Sequence, residues 1–152
     1  MREDQQTILE QYKLFVEMAD RVSERRLKTN QFYIGLISGL LVVLAFVLSK
    51  DNFSNLKGYH NTVMLLVGVL GLLLNLIWLI NIRSFRKLNS GKFKVIHEME
   101  AKLPFQPYDR EWEIIKLGEK KDNYFQLTRI EQILPLVLSL PFLVLLIIAI
   151  MK

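Results

Sequence analysis

Thr62-Val-Met-Leu-Leu-Val-Gly-Val-Leu-Gly-Leu-Leu-Leu-Asn-Leu-Ile-Trp-Leu-Ile-Asn-Ile82 carries no charged residue. As a helix it would reach about 31 Å at ~1.5 Å per residue, close to the ~30 Å hydrocarbon core of a bilayer. Phe32–Leu48 and Ile133–Met151 are two further uncharged apolar blocks. In a chain of 152 residues, the polar remainder is too short to wrap three such blocks as a soluble core. The reading is an all-α integral membrane protein with three transmembrane helices. A long charged segment precedes the first block, with no short basic lead and no small-residue cleavage site, so that block reads as a span and not as a signal peptide. Cysteine is absent, which excludes disulfides, thiolate metal sites and cysteine nucleophiles.

Charge placement sets the expected topology. Loop Lys50–His60 carries two Lys/Arg, segment Arg83–Glu131 carries eleven, and the N-terminal arm carries six. The positive-inside rule puts the arm and the long segment in the cytoplasm and the short hairpin outside. Lys152 then falls outside, past the third span. Pro135 and Pro141 leave one alternative open, that the last block re-enters or lies in the interface.

From Asp4 to about Asn30 the chain reads as a helix. Ile8, Tyr12, Phe15, Ala19 and Val22 alternate steps of four and three, a seam on one face. Either the seam packs on its own subunit or it lies between subunits. Glu17 and Arg21 fall at neighbouring surface positions. No glycine or proline separates this arm from Phe32, so one long helix is expected to continue into the first span.

Inside the first span, Gly35 and Gly39 form a G-x-x-x-G pattern beside Ser38. Small residues at this spacing let helix backbones approach where lipid supplies no hydrophobic drive. Gly68, Gly71, Asn75 and Trp78 repeat the idea in the second span. An amide at the depth of Asn75 must face protein or a wet cavity, and a helix–helix hydrogen bond is the commoner outcome than a transport role. Gly35, Gly39, Gly68, Gly71 and Asn75 are therefore the expected helix-packing or oligomer residues.

The stretch Arg83–Trp112 joins the second span to the rest. It is basic first: Arg83, Arg86, Lys87, Lys92 and Lys94 could meet anionic headgroups, at about 1 kcal/mol each near the surface. The helix is expected to relax at Asn89-Ser-Gly91. Leu103-Pro-Phe-Gln-Pro107 should stop it, because proline lacks the amide hydrogen and disfavours α conformation before it. A short helix over Tyr108–Gly118 follows, capped by Asp109, with Trp112 and Ile115 facing inward. Asn89, Phe93, Ile96, His97, Pro104 and Trp112 are the expected collar or partner-contact residues.

No chemistry emerges from the titratable groups. His60 and His97 fall on opposite sides of the membrane in this topology and cannot share a metal. No H-E-x-x-H, phosphate loop or dinucleotide fingerprint occurs. Arg86 and His97 are eleven apart, with Lys92 at the matching place, so a small helical ribonuclease site is not read here. Glu98, Glu100, Glu111 and Glu113 read as a solvated face. Beneath a span, the basic cluster suits lipid better than nucleic acid. No catalytic, cofactor or metal residue is assigned.

Several segments together resemble the RipA family of small bacterial membrane proteins, described as octameric. They are Tyr12-Lys-Leu-Phe-Val-Glu-Met-Ala-Asp-Arg-Val-Ser-Glu-Arg-Arg26, Leu88-Asn-Ser-Gly-Lys-Phe-Lys-Val-Ile-His97, Leu103-Pro104, Glu111-Trp112 and Leu127-Thr-Arg-Ile-Glu131. The resemblance implies a bacterial cytoplasmic-membrane location and a ring-like homo-oligomer. More distantly the chain is similar to the small membrane accessory proteins of RNA-targeting CRISPR systems, which implies an octameric pore. The expected organisation is a cytosolic amphipathic helix (1–30), a two-span hairpin (31–83), a helical cytosolic collar (84–131) and a third span (132–152). The expected function is non-enzymatic: a homo-oligomer that forms or gates a pore in stress or defence. The alternative is a scaffold whose collar binds a cytosolic protein and conducts nothing.

Overall fold

The structure, a computed structural model, describes residues 2–47, 59–119 and 127–151. Of the hairpin read at Lys50–His60, residues 50–58 lie outside the described residues. Four helices follow in order: α1 Arg2–Val47, α2 His60–Glu100, α3 Pro107–Glu119 and α4 Leu127–Met151. Among the described residues there is no strand. The all-α expectation holds, and α1, α2 and α4 are long and apolar enough to cross a membrane.

As expected, α1 is one helix from the arm into the first apolar block, 46 residues or about 69 Å. Its seam is real. Ala19 and Val22 are buried and Ile8, Tyr12 and Phe15 half-buried. The same spacing runs on through Arg26, Asn30, Tyr33, Ile37 and Leu44, all buried or half-buried. Glu17 and Arg21 pair at 2.7 Å on the exposed side.

The chain divides into two compact units. The membrane unit comprises Lys28–Arg83 and Arg129–Lys152. Its core is Ile37, Leu44, Met64, Trp78, Ile82, Phe142 and Leu145. Only 11%, 33% and 22% of the most apolar windows of α1, α2 and α4 is buried within the chain, so lipid or other copies must cover most of each span. Pro135 and Pro141 lie inside an unbroken α4, which favours a crossing over a broken re-entrant segment. Membrane helices tolerate proline when neighbouring helices shield the freed carbonyls, and Pro135 is fully buried.

The polar unit comprises Met1–Leu27 and Ser84–Thr128. Here the expected relaxation at Asn89-Ser-Gly91 does not occur, and α2 is helical throughout its 41 residues. One interior glycine costs a helix about 1 kcal/mol. A seam of Phe85, Asn89, Lys92, Ile96 and Met99, all at least half-buried, holds the helix through it. The stop at Leu103-Pro104 is where it was expected. The Leu103 amide closes a tight turn onto the Glu100 carbonyl at 2.9 Å. Pro107 then opens α3 as its first residue, a position that needs no amide hydrogen. Asp109 therefore sits within the first turn and is not the cap. Trp112, expected inward, is 49% exposed.

Candidate functional site

Two glycine pairs were expected to pack helices, and the structure places them differently. A Cβ on Gly71 would clash with the Phe142 ring, and one on Gly68 would come 3.2 Å from the Phe142 carbonyl. The glycines of α2 thus form the notch that receives α4. Asn75, one turn on, is 3% exposed and donates its amide to the Gly71 carbonyl at 2.9 Å. Gly35 and Gly39 are exposed and meet nothing within 4 Å. They lie on the side of α1 away from Ile37 and Leu44.

Near the ends of the spans lies a polar clasp that joins α1, α2 and α4. Trp78 Nε1 donates to Asn30 Oδ1 at 2.9 Å, and Asn30 Nδ2 donates to Glu131 Oε1 at 3.3 Å. Tyr33 stacks on Trp78 with centroids 5.9 Å apart and accepts a hydrogen bond from Asn81 Nδ2 at 2.9 Å. Such bonds are worth about 0.6–2 kcal/mol each in a membrane protein and fix which helix faces meet. Sequence reasoning missed Asn30, Tyr33, Asn81 and Glu131 as partners. The signal was present, because Asn30 and Tyr33 continue the α1 seam and Asn81 follows Trp78 by three.

In the polar unit the organising group is Glu100, fully buried at the end of α2. Its Oε1 accepts from Tyr12 Oη at 2.9 Å and from the Tyr108 backbone amide at 3.0 Å. The second bond places a carboxylate at the start of α3, where free amides and the helix dipole favour negative charge. This is the cap that Asp109 was expected to supply. His97 Nδ1 stands 3.5 Å from Glu100 Oε2. The Tyr12 hydroxyl is held well above the usual phenol range, first by burial and then by its bond to Glu100 and that carboxylate's field. Burial also raises Tyr108, helped by Asp20, Glu111 and Glu100. Glu100 was read as part of a solvated face, and nothing in its spacing marks it as buried.

Among the described residues, grooves run along this unit. One, of about 520 Å³, is lined by Ser90, Phe93, Lys94, His97, Tyr108, Glu111, Trp112 and Ile115. Phe93 packs edge-on against Tyr108 there, at 5.5 Å. A second runs between α1 and α3, past Tyr12, Lys13, Val16, Glu17, Asp20, Pro107, Tyr108 and Glu111. The third, about 440 Å³, runs between α1 and α2, past Phe15, Ser84, Lys87, Leu88, Gly91, Lys92 and Val95. Lys92 Nζ lies 5.6 Å from the centre of the Phe15 ring. Of the expected collar residues, Phe93, His97 and Trp112 meet in the first groove. Ile96 is fully buried and offers no partner surface, Asn89 is half-buried, and Pro104 is exposed in the turn. Arg83, Arg86, Lys87 and Lys94 are exposed.

Among the described residues no group of His, Asp or Glu is arranged to hold a metal ion. Residues 9–151 match the model of the octameric membrane protein family, 8xMP, and the chain belongs to that family. No curated protein and no solved structure matches it.

Proposed function

We propose that this chain, as a member of the octameric membrane protein family, builds a non-enzymatic ring in a bacterial cytoplasmic membrane that encloses a gated, apolar-walled passage used in stress or defence. One observation carries the reading. Four polar side chains of the membrane unit, Asn30, Asn75, Trp78 and Asn81, turn inward and bond within the chain. The outward faces are apolar, with Val42, Phe46, Leu66, Val137 and Ile150 among the most exposed residues. Copies arranged about an axis would line it with such residues, and an apolar constriction gates by dewetting. Ser38 is the exposed polar side chain in the middle of the first apolar block. The distribution of Lys and Arg supports a cytosolic N-terminus. The segments shared with the RipA family support the bacterial location.

Lipid contact falls chiefly to Arg83, Arg86 and Lys87, within about 8 Å of Ile82 along α2 at ~1.5 Å per residue. Lys92 and Lys94 stand about 15–18 Å farther on than Ile82. A headgroup layer is only about 5–8 Å deep on each side.

Ion flux through liposomes holding the purified assembly tests the function. The expected result is voltage- or stimulus-dependent current. Electrically silent liposomes across all voltages, with correctly inserted rings, would reject it. The groove of Phe93, Tyr108 and Trp112 favours a second reading, a scaffold for a cytosolic protein. Trp112→Ala should then lower capture of cytosolic protein by the purified assembly while leaving its mass unchanged.

A further inference from the structure

The two grooves that run along α1 differ in charge. The α1–α3 groove has three carboxylates, Glu17, Asp20 and Glu111, and a single lysine, Lys13. The α1–α2 groove has two lysines, Lys87 and Lys92, and no carboxylate. Glu17 is held by Arg21 at 2.7 Å. Asp20, Glu111 and Lys87 have no ion-pair partner among the described residues, and Lys92 has only the face of Phe15. The negative field of the first groove is felt within the chain: Asp20 and Glu111 both push the Tyr108 hydroxyl upward, after burial. Apolar side chains line each groove beside the charged ones, Val16 and Pro107 in one and Phe15, Leu88 and Val95 in the other. Apolar surface next to charge is the ordinary anatomy of a protein interface.

A ring of identical chains needs two unlike faces on each copy, because a face that pairs with itself closes a dimer. We infer that the acidic α1–α3 groove of one copy docks on the basic α1–α2 groove of the next, with Asp20 and Glu111 meeting Lys87 and Lys92. The occupant of each groove is thus a second copy of this chain. Charge complementarity selects it, and it also sets the direction of travel around the ring. This rests on the octameric family and on the ring proposed above, and not on conduction, so its test reads mass and leaves flux aside.

The full chain in mild detergent or nanodiscs, weighed by native mass spectrometry, gives the experiment. K87E/K92E makes both grooves acidic, and D20K/E111K makes both basic. Either variant alone should lose the octamer by at least about tenfold at low salt, where the screening length exceeds ~10 Å. Mixing the two should restore it, because an even-numbered ring can alternate them. The mixture also shows that each variant is folded. A second measurement leaves most of the charges in place. The chain has no cysteine, so K92C and D20C copies can be co-reconstituted and treated with a short bis-maleimide. Links should form between positions 20 and 92, and not between two copies of position 92. The inference is overturned if either reversal variant keeps the octamer at low salt, or if the mixture stays unassembled. It is equally overturned if K87E/K92E only lowers the phosphatidylglycerol retained on the octamer while the octamer itself is unchanged, since the basic groove would then belong to lipid.

Discussion

Gly68 and Gly71 in α2, and Gly35 and Gly39 in α1, are small residues one helical turn apart in apolar helices, yet they meet different surroundings. The α2 pair is filled from within the chain: Phe142 and Leu146 of α4 occupy the space that side chains would take. The α1 pair faces open space. The difference follows from the neighbours of each glycine. Asn75 and Trp78 extend the α2 pair into a buried stripe, where Asn75 bonds its own helix at Gly71 and Trp78 bonds Asn30 of α1. The α1 pair has only Ser38 beside it, and the seam that packs α1 runs through Tyr33, Ile37 and Leu44 on the other side. A glycine spacing therefore marks a place where helices can approach closely. It does not say whether the second helix is in the same chain.

The sharpest way to break the contrast is at the filled side. Trp78→Ala removes a fully buried indole, its stacking on Tyr33 and its bond to Asn30. A loss of about 3–5 kcal/mol is expected, measured by SDS-titrated unfolding in mixed micelles. Gly71→Ala should cost less, about 1–3 kcal/mol, because the Phe142 ring must be displaced from a packed site. Adding Phe142→Leu should recover part of that loss, and strictly additive losses would show that the notch is not where they act.

Outside the membrane unit the filled contact is Tyr12 on Glu100. Its hydroxyl is raised in the fold, so the unfolded chain releases that proton first as pH rises. The contribution is whole below the unfolded value near pH ~10 and declines above it. Tyr12→Phe should flatten this decline, as read by chemical unfolding of both proteins between neutral and strongly alkaline pH. Identical slopes for the two proteins would remove Tyr12 as the cause. The smallest effect belongs to the open pair. Gly35→Ala and Gly39→Ala should leave the stability of the single chain within about 1 kcal/mol of wild type, with a gain where helix propensity dominates. A loss of several kcal/mol in the isolated chain would mean that the pair is already covered.

Much of the fold was legible because hydrophobic period and span length are strong physical signals. The α1 seam from Ile8 to Val22, the stop at Leu103-Pro104 and the three apolar helices all follow from them. Asn89-Ser-Gly91 misled because local propensity there is overridden by the apolar seam on both sides. Asp109 misled because Pro107 starts α3 one residue earlier than was read, and because its cap comes from another helix. Glu100 and Glu131 could not be assigned from spacing. Each is a polar residue whose setting depends on a partner distant in sequence, 88 residues away for Glu100 with Tyr12 and 101 for Glu131 with Asn30.

That distance at Glu100 bears on how the protein is made. A single carboxylate oxygen joins the arm to the start of α3, and both apolar blocks that precede it lie in the 88 residues between Tyr12 and Glu100. During synthesis the arm emerges first and its partner only after the second span. α3, with 13 residues, is too short to persist as a helix by itself in water. The polar unit is therefore completed only after both preceding spans and α3 have been made. Until the end of α2 emerges, Phe15 and Tyr12 of the arm lack the Lys92 and Glu100 side chains that they meet in the finished fold.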